Sequence, residues 1–435
     1  KSRLIRLCTI GILLVLLAAC APVAVAPTDS EAPDATSSEP VTIRVRTDVA
    51  ADEEVLNEVI AEFEALHPDI DIELEMAGYT SPTDRMGQIR TMFAAEAEPD
   101  IMYFWDQFFS NFVAEDIVYD LTDEMEANGG EWKNQFQPGL IKNVTHGGRI
   151  YGVPATVSMV QMFYNKDIFD QYGLEEPQTW GELEAVVETL KENGVTPMIE
   201  RVGNPGVVSE WWLGVSMVPL VHAEELCALM SGSASFDDPR LAQAWDKVKY
   251  MYDNGWWQEG ALGTQWAVGP ELFQQGQGAM FVSGNWQVAG FRENADFDFG
   301  IFPIPMRDTV DEPLGMIIAM NQWFVTKRSQ HPEEAIEFLK FLSSKEIDQK
   351  INLDRTNLST RADAEGAYDD PVTGEFVDGL DYVFCRPQVL HPQIYDYLSA
   401  NAVQVLSGDT TPAEVMAGTE EVRQTLLSEG LIVGE

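Results

Sequence analysis

The sequence predicts an α/β fold, because segments with the periodicity of strands alternate with segments that have the periodicity of helices. Residues 41–46 alternate apolar and polar side chains, as a half-buried strand does. Residues 55–66 carry apolar side chains at helical spacing, and Pro68 ends this helix. Residues 70–76 alternate again. A strand, a helix and a second strand in this order form a βαβ unit.

Later segments repeat this order. A helix over residues 84–97 leads to an apolar strand at 100–104, and a second series has a strand at 162–164, a helix over 180–193 and a strand at 279–283. Repeated βα units predict mostly parallel sheets, with ligand-binding groups at the carboxyl ends of the strands. The length of 435 residues fits two such lobes better than one.

The charge of the chain excludes one large class of partner. Asp and Glu number 71 against 27 Lys and Arg, which gives a net charge of −44. Such a molecule repels the phosphates of nucleic acids, so we expect no nucleic-acid binding. The acidity fits a solubilising surface, and it also leaves open a cationic ligand such as a polyamine.

The first forty residues predict export and attachment to a membrane. The first six residues include three basic ones, and residues 10–17 form an apolar run that is too short to span a bilayer comfortably. We therefore predict a signal peptide over residues 1–19. Residues 17–20, Leu-Ala-Ala-Cys, resemble the bacterial lipoprotein cleavage box, which implies lipidation of Cys20. Residues 20–40 then form a flexible tether rich in Pro, Ala, Ser and acids.

Several sequence blocks resemble, in their order along the chain, family 1 extracellular solute-binding proteins. The central blocks are GRIYGVP at 148–154, FYNKDIF at 163–169, YGL at 172–174 and PQTWGEL at 177–183, and the others lie at 63–71, 98–101, 275–280, 284–286, 331–342 and 411–415. Members of this family are the receptor components of ABC importers, many of them for sugars. The resemblance implies an extracytoplasmic receptor that works with importer permease subunits.

The same resemblance implies a type 2 periplasmic-binding fold, with two α/β lobes and mostly parallel sheets around a ligand cleft. Strands that cross between the lobes are expected near residues 151–155, 303–305 and 342–345. Lobe 1 is then expected to comprise residues 41–153 and 304–343, and lobe 2 residues 154–303 and 344–435. Ligand binding would close the two lobes by a hinge motion.

Tryptophans at predicted strand ends are the main candidates for ligand contact. A pyranose presents an apolar C–H face and a rim of hydroxyls, so its site needs aromatic platforms together with polar side chains. Trp105, Asp106 and Gln107 follow an apolar strand, and Trp286 follows the strand that ends near Gly284. By resemblance, both positions face the ligand.

Further candidates lie outside these two strand ends. Either Trp211 or Trp212 is expected to be a platform and the other to be core, and Trp323 precedes the return helix of lobe 1. Weaker ligand-binding candidates are Asp48, Tyr79, Ser158, Arg386 and Tyr395.

The motifs of catalysis and metal binding are missing from the sequence. There is no His-Glu-x-x-His, no Gly-x-Ser-x-Gly and no close His/Cys cluster, so no catalytic residue, cofactor or metal is predicted. Cys227 and Cys385 leave open a disulfide in lobe 2. We therefore predict a non-enzymatic, lipid-anchored receptor for a mono- or oligosaccharide. The alternatives are a receptor for a cationic solute and a surface carbohydrate-active enzyme.

Overall fold

One mixed sheet runs through the described part of the chain. The computed structural model describes residues 40–47, 53–78, 82–105, 109–221, 223–230, 232–311, 317–353, 357–364, 368, 370–379 and 391–432. The strands, numbered in chain order, are β1 (Val41–Thr47), β2 (Ile70–Met76), β3 (Ile101–Trp105), β4 (Thr145–His146), β5 (Arg149–Ile150), β6 (Val153–Asn165), β7 (Met198–Ile199), β8 (Met280–Gly284), β9 (Phe299–Phe302) and β10 (Ile317–Val325). The sheet order is β2-β1-β3-β10-β6-β8-β7, with β9 also paired to β6, and β4 and β5 form a separate pair.

Helices connect these strands. They are α1 (Glu53–Leu66), α2 (Pro82–Ala94), α3 (Phe109–Ala114), α4 (Thr122–Gly130), α5 (Pro138–Asn143), α6 (Lys166–Tyr172), α7 (Trp180–Glu192), α8 (Leu213–Met217), α9 (Ala223–Met230), α10 (Pro239–Asp253), α11 (Val268–Gln274), α12 (Val288–Asn294), α13 (Pro332–Leu342), α14 (Lys345–Ile351), α15 (Pro371–Gly379), α16 (Pro392–Ser407) and α17 (Pro412–Ser428). Short 3₁₀ turns cover Lys133–Gln135, Ala261–Gly263 and Asn285–Gln287, and a π-helix covers Val207–Trp212. Among the described residues, no helix has the length and apolarity needed to cross a bilayer.

The first βαβ unit is confirmed. β1 and β2 pair in parallel, from Val41 opposite Ile70 to Thr47 opposite Met76. The apolar side of β1 is buried, and α1 covers it with a buried stripe that includes Phe63. Capping side chains fix the starts of later helices: Asn165 accepts the backbone N–H of Ile168 at the start of α6, 3.1 Å from nitrogen to oxygen.

The sheet is parallel at its two sides and antiparallel in its middle. β1 pairs in parallel with β2 and β3, and β7 pairs in parallel with β8. Between these pairs lie β6 and β10, which are antiparallel to each other and to their outer neighbours β8 and β3. β6 carries the chain from the first half of the sheet to the second, and β10 carries it back. Because they run in opposite directions, they add antiparallel pairs to the parallel units that the sequence predicts.

Two hydrophobic clusters lie on this sheet. The first contains β1, β3, α1 and α13, and the second contains the π-helix, α7, α10, α16 and α17. Ile347, Leu358 and Phe376 belong to the first cluster, although they follow residue 343 in the chain. The sheet is shared by both clusters, and the lobe boundaries at 153, 303 and 343 stay a prediction.

A buried polar network ties the segment after α13 to the start of β6. Asp348 accepts hydrogen bonds from Asn352 Nδ2 at 2.7 Å and from Ser359 Oγ at 2.6 Å. The same Asn352 nitrogen donates to the carbonyl oxygen of Ala155 at 3.1 Å. Burial raises the pKa of Asp348, and the bonds from Ser359 and Asn352 oppose that rise. The network therefore contains a carboxyl group that binds its proton more tightly in the folded protein than in the unfolded chain.

We expect Asp348→Asn to flatten the pH dependence of stability. Because the folded-state pKa of Asp348 lies above its ordinary value of 3.8, its contribution to the free energy of unfolding is fully present below that value. The contribution is lost as the pH rises through the folded-state pKa. Urea unfolding from about pH 4 to about pH 7 should show a smaller decline for the variant than for the wild type. Parallel pH profiles would contradict the assignment.

Candidate functional site

Three indole rings form a cluster beside the end of β8. The ring centroids of Trp211 and Trp266 are 5.6 Å apart in an edge-to-face arrangement, and those of Trp266 and Trp286 are 6.4 Å apart with nearly parallel planes. Trp211 and Trp286 are separated by 6.1 Å. Trp211 is buried, Trp286 is half-buried and Trp266 is 39% exposed. The cluster, defined as Trp211, Trp266 and Trp286, therefore has an anchored side and a side that faces solvent.

The three rings come from three different elements. Trp211 lies in the π-helix Val207–Trp212, Trp266 in the loop before α11, and Trp286 in the 3₁₀ turn after β8. The Trp286 ring lies against the backbone of Gly284, where a Cβ atom would be 1.9 Å from Trp286 Cζ3. Glycine is therefore required at position 284 for this ring orientation. The turn is held to β6 by Asn285 Oδ1, which accepts the backbone N–H of Met159 at 2.8 Å.

The register of the sheet places Trp105 on the other side of the same β6 segment. Trp105 pairs with Asn321 of β10, which pairs with Thr156 of β6, whereas Gly284 of β8 pairs with Val160. β3 runs parallel to β6 and β8 runs against it, so the two strands point towards each other. Their carboxyl ends stop at opposite ends of the segment 156–160, which is roughly 13 Å long at about 3.3 Å per residue.

Convergent strand ends of this kind are where α/β sheets place ligand sites. Ser158 is in the middle of the segment, opposite Ala319, and its side chain is partly exposed. The predicted residues Trp105 at the end of β3, Ser158 in β6 and Trp286 in the turn after β8 thus lie around one stretch of the sheet. The structure adds Trp266, which the sequence analysis missed because it lies in a loop with no strand or motif to mark it.

A buried charge pair lies behind the indole cluster. Glu200 and Arg201 directly follow β7 and are both fully buried. Glu200 Oε2 accepts the indole N–H of Trp212 at 2.7 Å, and Oε1 accepts the backbone N–H of Arg201 at 2.8 Å. Burial raises the pKa of Glu200 and lowers the pKa of Arg201 to about 10, so the guanidinium keeps its charge at neutral pH. The sequence analysis missed this pair, although its position after an apolar strand is a signal of the kind used for Trp105.

Other predicted residues lie away from the cluster. Trp212 is fully buried and bonded to Glu200, which is the behaviour of a core residue. Trp323 is buried edge-to-face against Tyr103, with 4.8 Å between the ring centroids, and lines an internal cavity of about 10 Å³. Tyr395 is buried on α16, with its hydroxyl against Gly206 at the start of the π-helix. The burial of these three side chains favours packing roles.

The remaining predicted residues lie outside the described part of the chain and stay predictions. They are Asp48, Tyr79, Asp106, Gln107, Arg386, Cys20 and Cys385, together with the side chains of Trp105 and Cys227. Within the described ranges, no group of three His, Cys, Asp or Glu side chains is placed to hold a metal ion. The site that the described residues form is therefore aromatic in character.

Comparison with known proteins assigns the family. The family described as bacterial extracellular solute-binding protein matches residues 48–349. The chain belongs to this family. A multiple sugar-binding protein of Streptococcus mutans is 22% identical over 355 residues, which are 78% of either chain. An uncharacterized ABC transporter extracellular-binding protein of Pyrococcus horikoshii is 26% identical over 299 residues, 66% of this chain and 64% of that protein. The match thus spans slightly less than two thirds of that relative's length.

Solved structures of other binding proteins have the same fold as this chain. A chitin oligosaccharide binding protein superposes with a TM-score of 0.79 at 19% identity, covering 89% of this chain and 99% of that one. The GacH receptor of Streptomyces glaucescens superposes with a TM-score of 0.76 at 20% identity, with the same coverage. The predicted type 2 periplasmic-binding fold is confirmed. This extracellular solute-binding protein belongs to a family of binding proteins rather than of enzymes.

We expect Gly284→Ala to displace the Trp286 ring, because the new Cβ would overlap its six-membered ring. The near-ultraviolet circular dichroism at the tryptophan bands should change, while the far-ultraviolet spectrum is retained. Gly290→Ala is the matched control, since the nearest atom to its Cβ is Gln274 Nε2 at 3.8 Å, an ordinary contact. If the two variants gave the same near-ultraviolet spectrum, the ring placement would be wrong.

Proposed function

We propose that this extracellular solute-binding protein is the receptor of an ABC importer and binds a mono- or oligosaccharide. The observation that carries the proposal is the indole cluster beside the end of β8, a strand that points towards the end of β3. Indole rings cover the apolar face of a sugar ring, and neighbouring polar groups meet its hydroxyls. The half-exposed pair Trp266 and Trp286, with nearly parallel planes, offers two such surfaces.

The names of related proteins support a sugar as the solute. The Streptococcus mutans relative is a multiple sugar-binding protein, and two relatives from Streptococcus pneumoniae are maltooligosaccharide ABC transporter solute-binding lipoproteins. The similar structures include a chitin oligosaccharide binding protein and a receptor solved in complex with acarbose. These proteins differ in the sugar that they bind, so the proposal extends to the class of solute and not to one compound.

Binding would act through the relative population of an open and a closed state. A sugar held on the cluster at the end of β8 would gain contacts with groups at the end of β3 only when the two ends approach. A ligand shifts a conformational equilibrium by its difference in affinity for the two states, so these added contacts would favour closure. The closed receptor would then deliver its sugar to importer permease subunits.

We further propose that the receptor is held outside the cell by a lipid anchor on Cys20. The lipoprotein names of the Streptococcus pneumoniae relatives support this proposal, as does the cleavage box at residues 17–20. A diacylated or triacylated cysteine would give stable attachment, whereas one acyl chain alone is marginal.

Loss of a platform ring should weaken sugar binding without unfolding the protein. We expect Trp266→Ala and Trp286→Ala each to cost about 1–3 kcal/mol of binding free energy, because each removes an aromatic surface from the sugar. Isothermal titration with maltotriose, chitotriose, xylotriose and raffinose measures the affinity. Tyr250→Ala is the control, since Tyr250 is an exposed aromatic residue (44%) on α10 that lies outside the cluster.

The same experiment separates the alternative functions. Before titration, each sugar and spermidine are tested for their effect on the melting temperature, which bound ligand raises. A rise with spermidine and not with any sugar would favour the cationic solute. New products after prolonged incubation with the sugars, detected by mass spectrometry, would favour a carbohydrate-active enzyme. Unchanged affinity in both tryptophan variants would remove the cluster from the site.

Replacement of the proposed lipidation site should release the protein from the membrane. We expect Cys20→Ser, expressed in a bacterium that processes lipoproteins, to lose incorporation of labelled palmitate and to leave the membrane fraction, because serine has no thiol to acylate. Ser38→Ala in the same tether is the control and should keep both properties. Membrane retention and labelling of Cys20→Ser would exclude an anchor at this residue.

A further inference from the structure

We propose that Arg201 is a positioning residue of the sugar site: its guanidinium, lying against the faces of Trp211 and Trp266, holds these rings in the orientation that receives the ligand. The inference rests on the proposed function, because it assigns a role within the same cluster. It concerns a residue that is fully buried and that follows β7, on the side of the cluster away from solvent.

The contacts of the guanidinium are mainly with aromatic rings. Its central carbon is 3.9 Å from the ring centroid of Trp266, 5.1 Å from that of Trp211 and 4.7 Å from that of Phe281. A cation over the face of an aromatic ring is attracted by the ring quadrupole, and the attraction is stronger where water is excluded. One charge thus links the exposed ring of Trp266, the buried ring of Trp211 and the side chain of Phe281 in β8.

The guanidinium of Arg201 makes fewer hydrogen bonds than contacts with aromatic rings. Nη2 donates to Ser283 Oγ at 3.3 Å, while Nε and Nη1 have no hydrogen-bond partner among the described residues. Both carboxylate oxygens of Glu200 bond elsewhere, to Trp212 and to the backbone N–H of Arg201. A buried guanidinium with unpaired N–H groups is costly, and an apolar side chain of similar volume would avoid that cost. The charge of Arg201 is stabilised by the neighbouring Glu200 and by its attraction to the rings, and an apolar residue would not supply the attraction to the rings.

A glycine beside Arg201 leaves room for the arginine side chain. A Cβ at Gly269 of α11 would lie 3.3 Å from Arg201 Cδ and 3.1 Å from Phe281 Cε2, so the absence of a side chain there allows the arginine to pass. Trp266 itself belongs to a loop and is 39% exposed, and its ring contacts Arg201, Trp211 and Trp286. Loss of the charge should therefore free the exposed platform ring more than the buried one.

A double-mutant cycle on sugar affinity tests whether Arg201 acts through Trp266. The four proteins are the wild type, Arg201→Met, Trp266→Ala and the double variant, titrated with the sugar from the panel above that binds the wild type most tightly. Methionine keeps an unbranched chain of similar length and removes the charge. We expect Arg201→Met to weaken binding about tenfold when Trp266 is present and less than twofold when it is absent. An equal loss in both backgrounds, or no loss in either, would overturn the proposal.

A ligand-free measurement keeps this test separate from the proposed function. Iodide quenching of tryptophan fluorescence is measured for each protein with Trp266 and for its counterpart that carries Trp266→Ala. The difference in quenching within such a pair reports the solvent exposure of the Trp266 ring. Arg201→Met should increase that difference and change the near-ultraviolet spectrum, whereas Arg201→Lys, which keeps a cation, should restore part of both. If no sugar binds the wild type, the proposed function fails, and this measurement alone decides the positioning role. Identical quenching in the wild type and Arg201→Met would contradict it. If the methionine variant does not fold, Arg201→Lys takes its place: quenching of Trp266 above that of the wild type is expected, and quenching equal to the wild type would contradict the role.

Discussion

The antiparallel pairing of β6 with β10 is the constraint on which the rest of the structure depends. Residues 153–160 of β6 pair with β10, and residues 160–165 pair with β8 and β9, so one strand joins the two halves of the sheet. This pairing directs the ends of β3 and β8 towards one another. The end of β8 carries the indole cluster, and the end of β3 stops about four residues of β6 away from it.

The aromatic cluster gives a strongly acidic protein an uncharged surface. The net charge of −44 is spread over acidic side chains, whereas the cluster is backed by a buried Arg201 whose charge faces aromatic rings. Glu200 lies next to it and is bonded to Trp212, so the two buried charges compensate one another behind the rings. The side of the cluster that faces solvent is indole, and the charges behind it are withdrawn from solvent.

The polar network around Asp348 lies at the start of β6, whereas the indole cluster lies beside the middle of that strand, where Gly284 pairs with Val160. Asn352 and Thr360 donate to the carbonyl oxygens of Ala155 and Pro154, so the segment after α14 follows the position of the first β6 residues. Movement between the halves of the sheet, which the proposed function requires, would have to bend β6 beyond this fixed start. The network thereby limits where a hinge in β6 lies.

Many helices and strands could be predicted from the sequence, because each has a characteristic spacing of apolar residues along a short segment. The spacing of apolar residues and Pro68 predicted α1, and alternation predicted β1 and β2. The strand order and the length of β6 were not predicted, since pairing between distant segments produces no pattern within either segment. The sequence blocks predicted both the family and the fold, because they occur in the same order along the chain as in family 1 extracellular solute-binding proteins.

The sequence by itself determined that tryptophans at strand ends were the candidates, and it singled out Trp105 and Trp286. Only the tertiary structure decided which rings join Trp286 in the cluster. Trp211 and Trp212 are neighbours in a π-helix, and the phase of that helix directs one to the cluster and the other to Glu200. Trp266 and Arg201 reach the same place from a loop and from the end of β7. Such convergence depends on sheet register and helix phase, which are set by contacts between residues far apart in the chain.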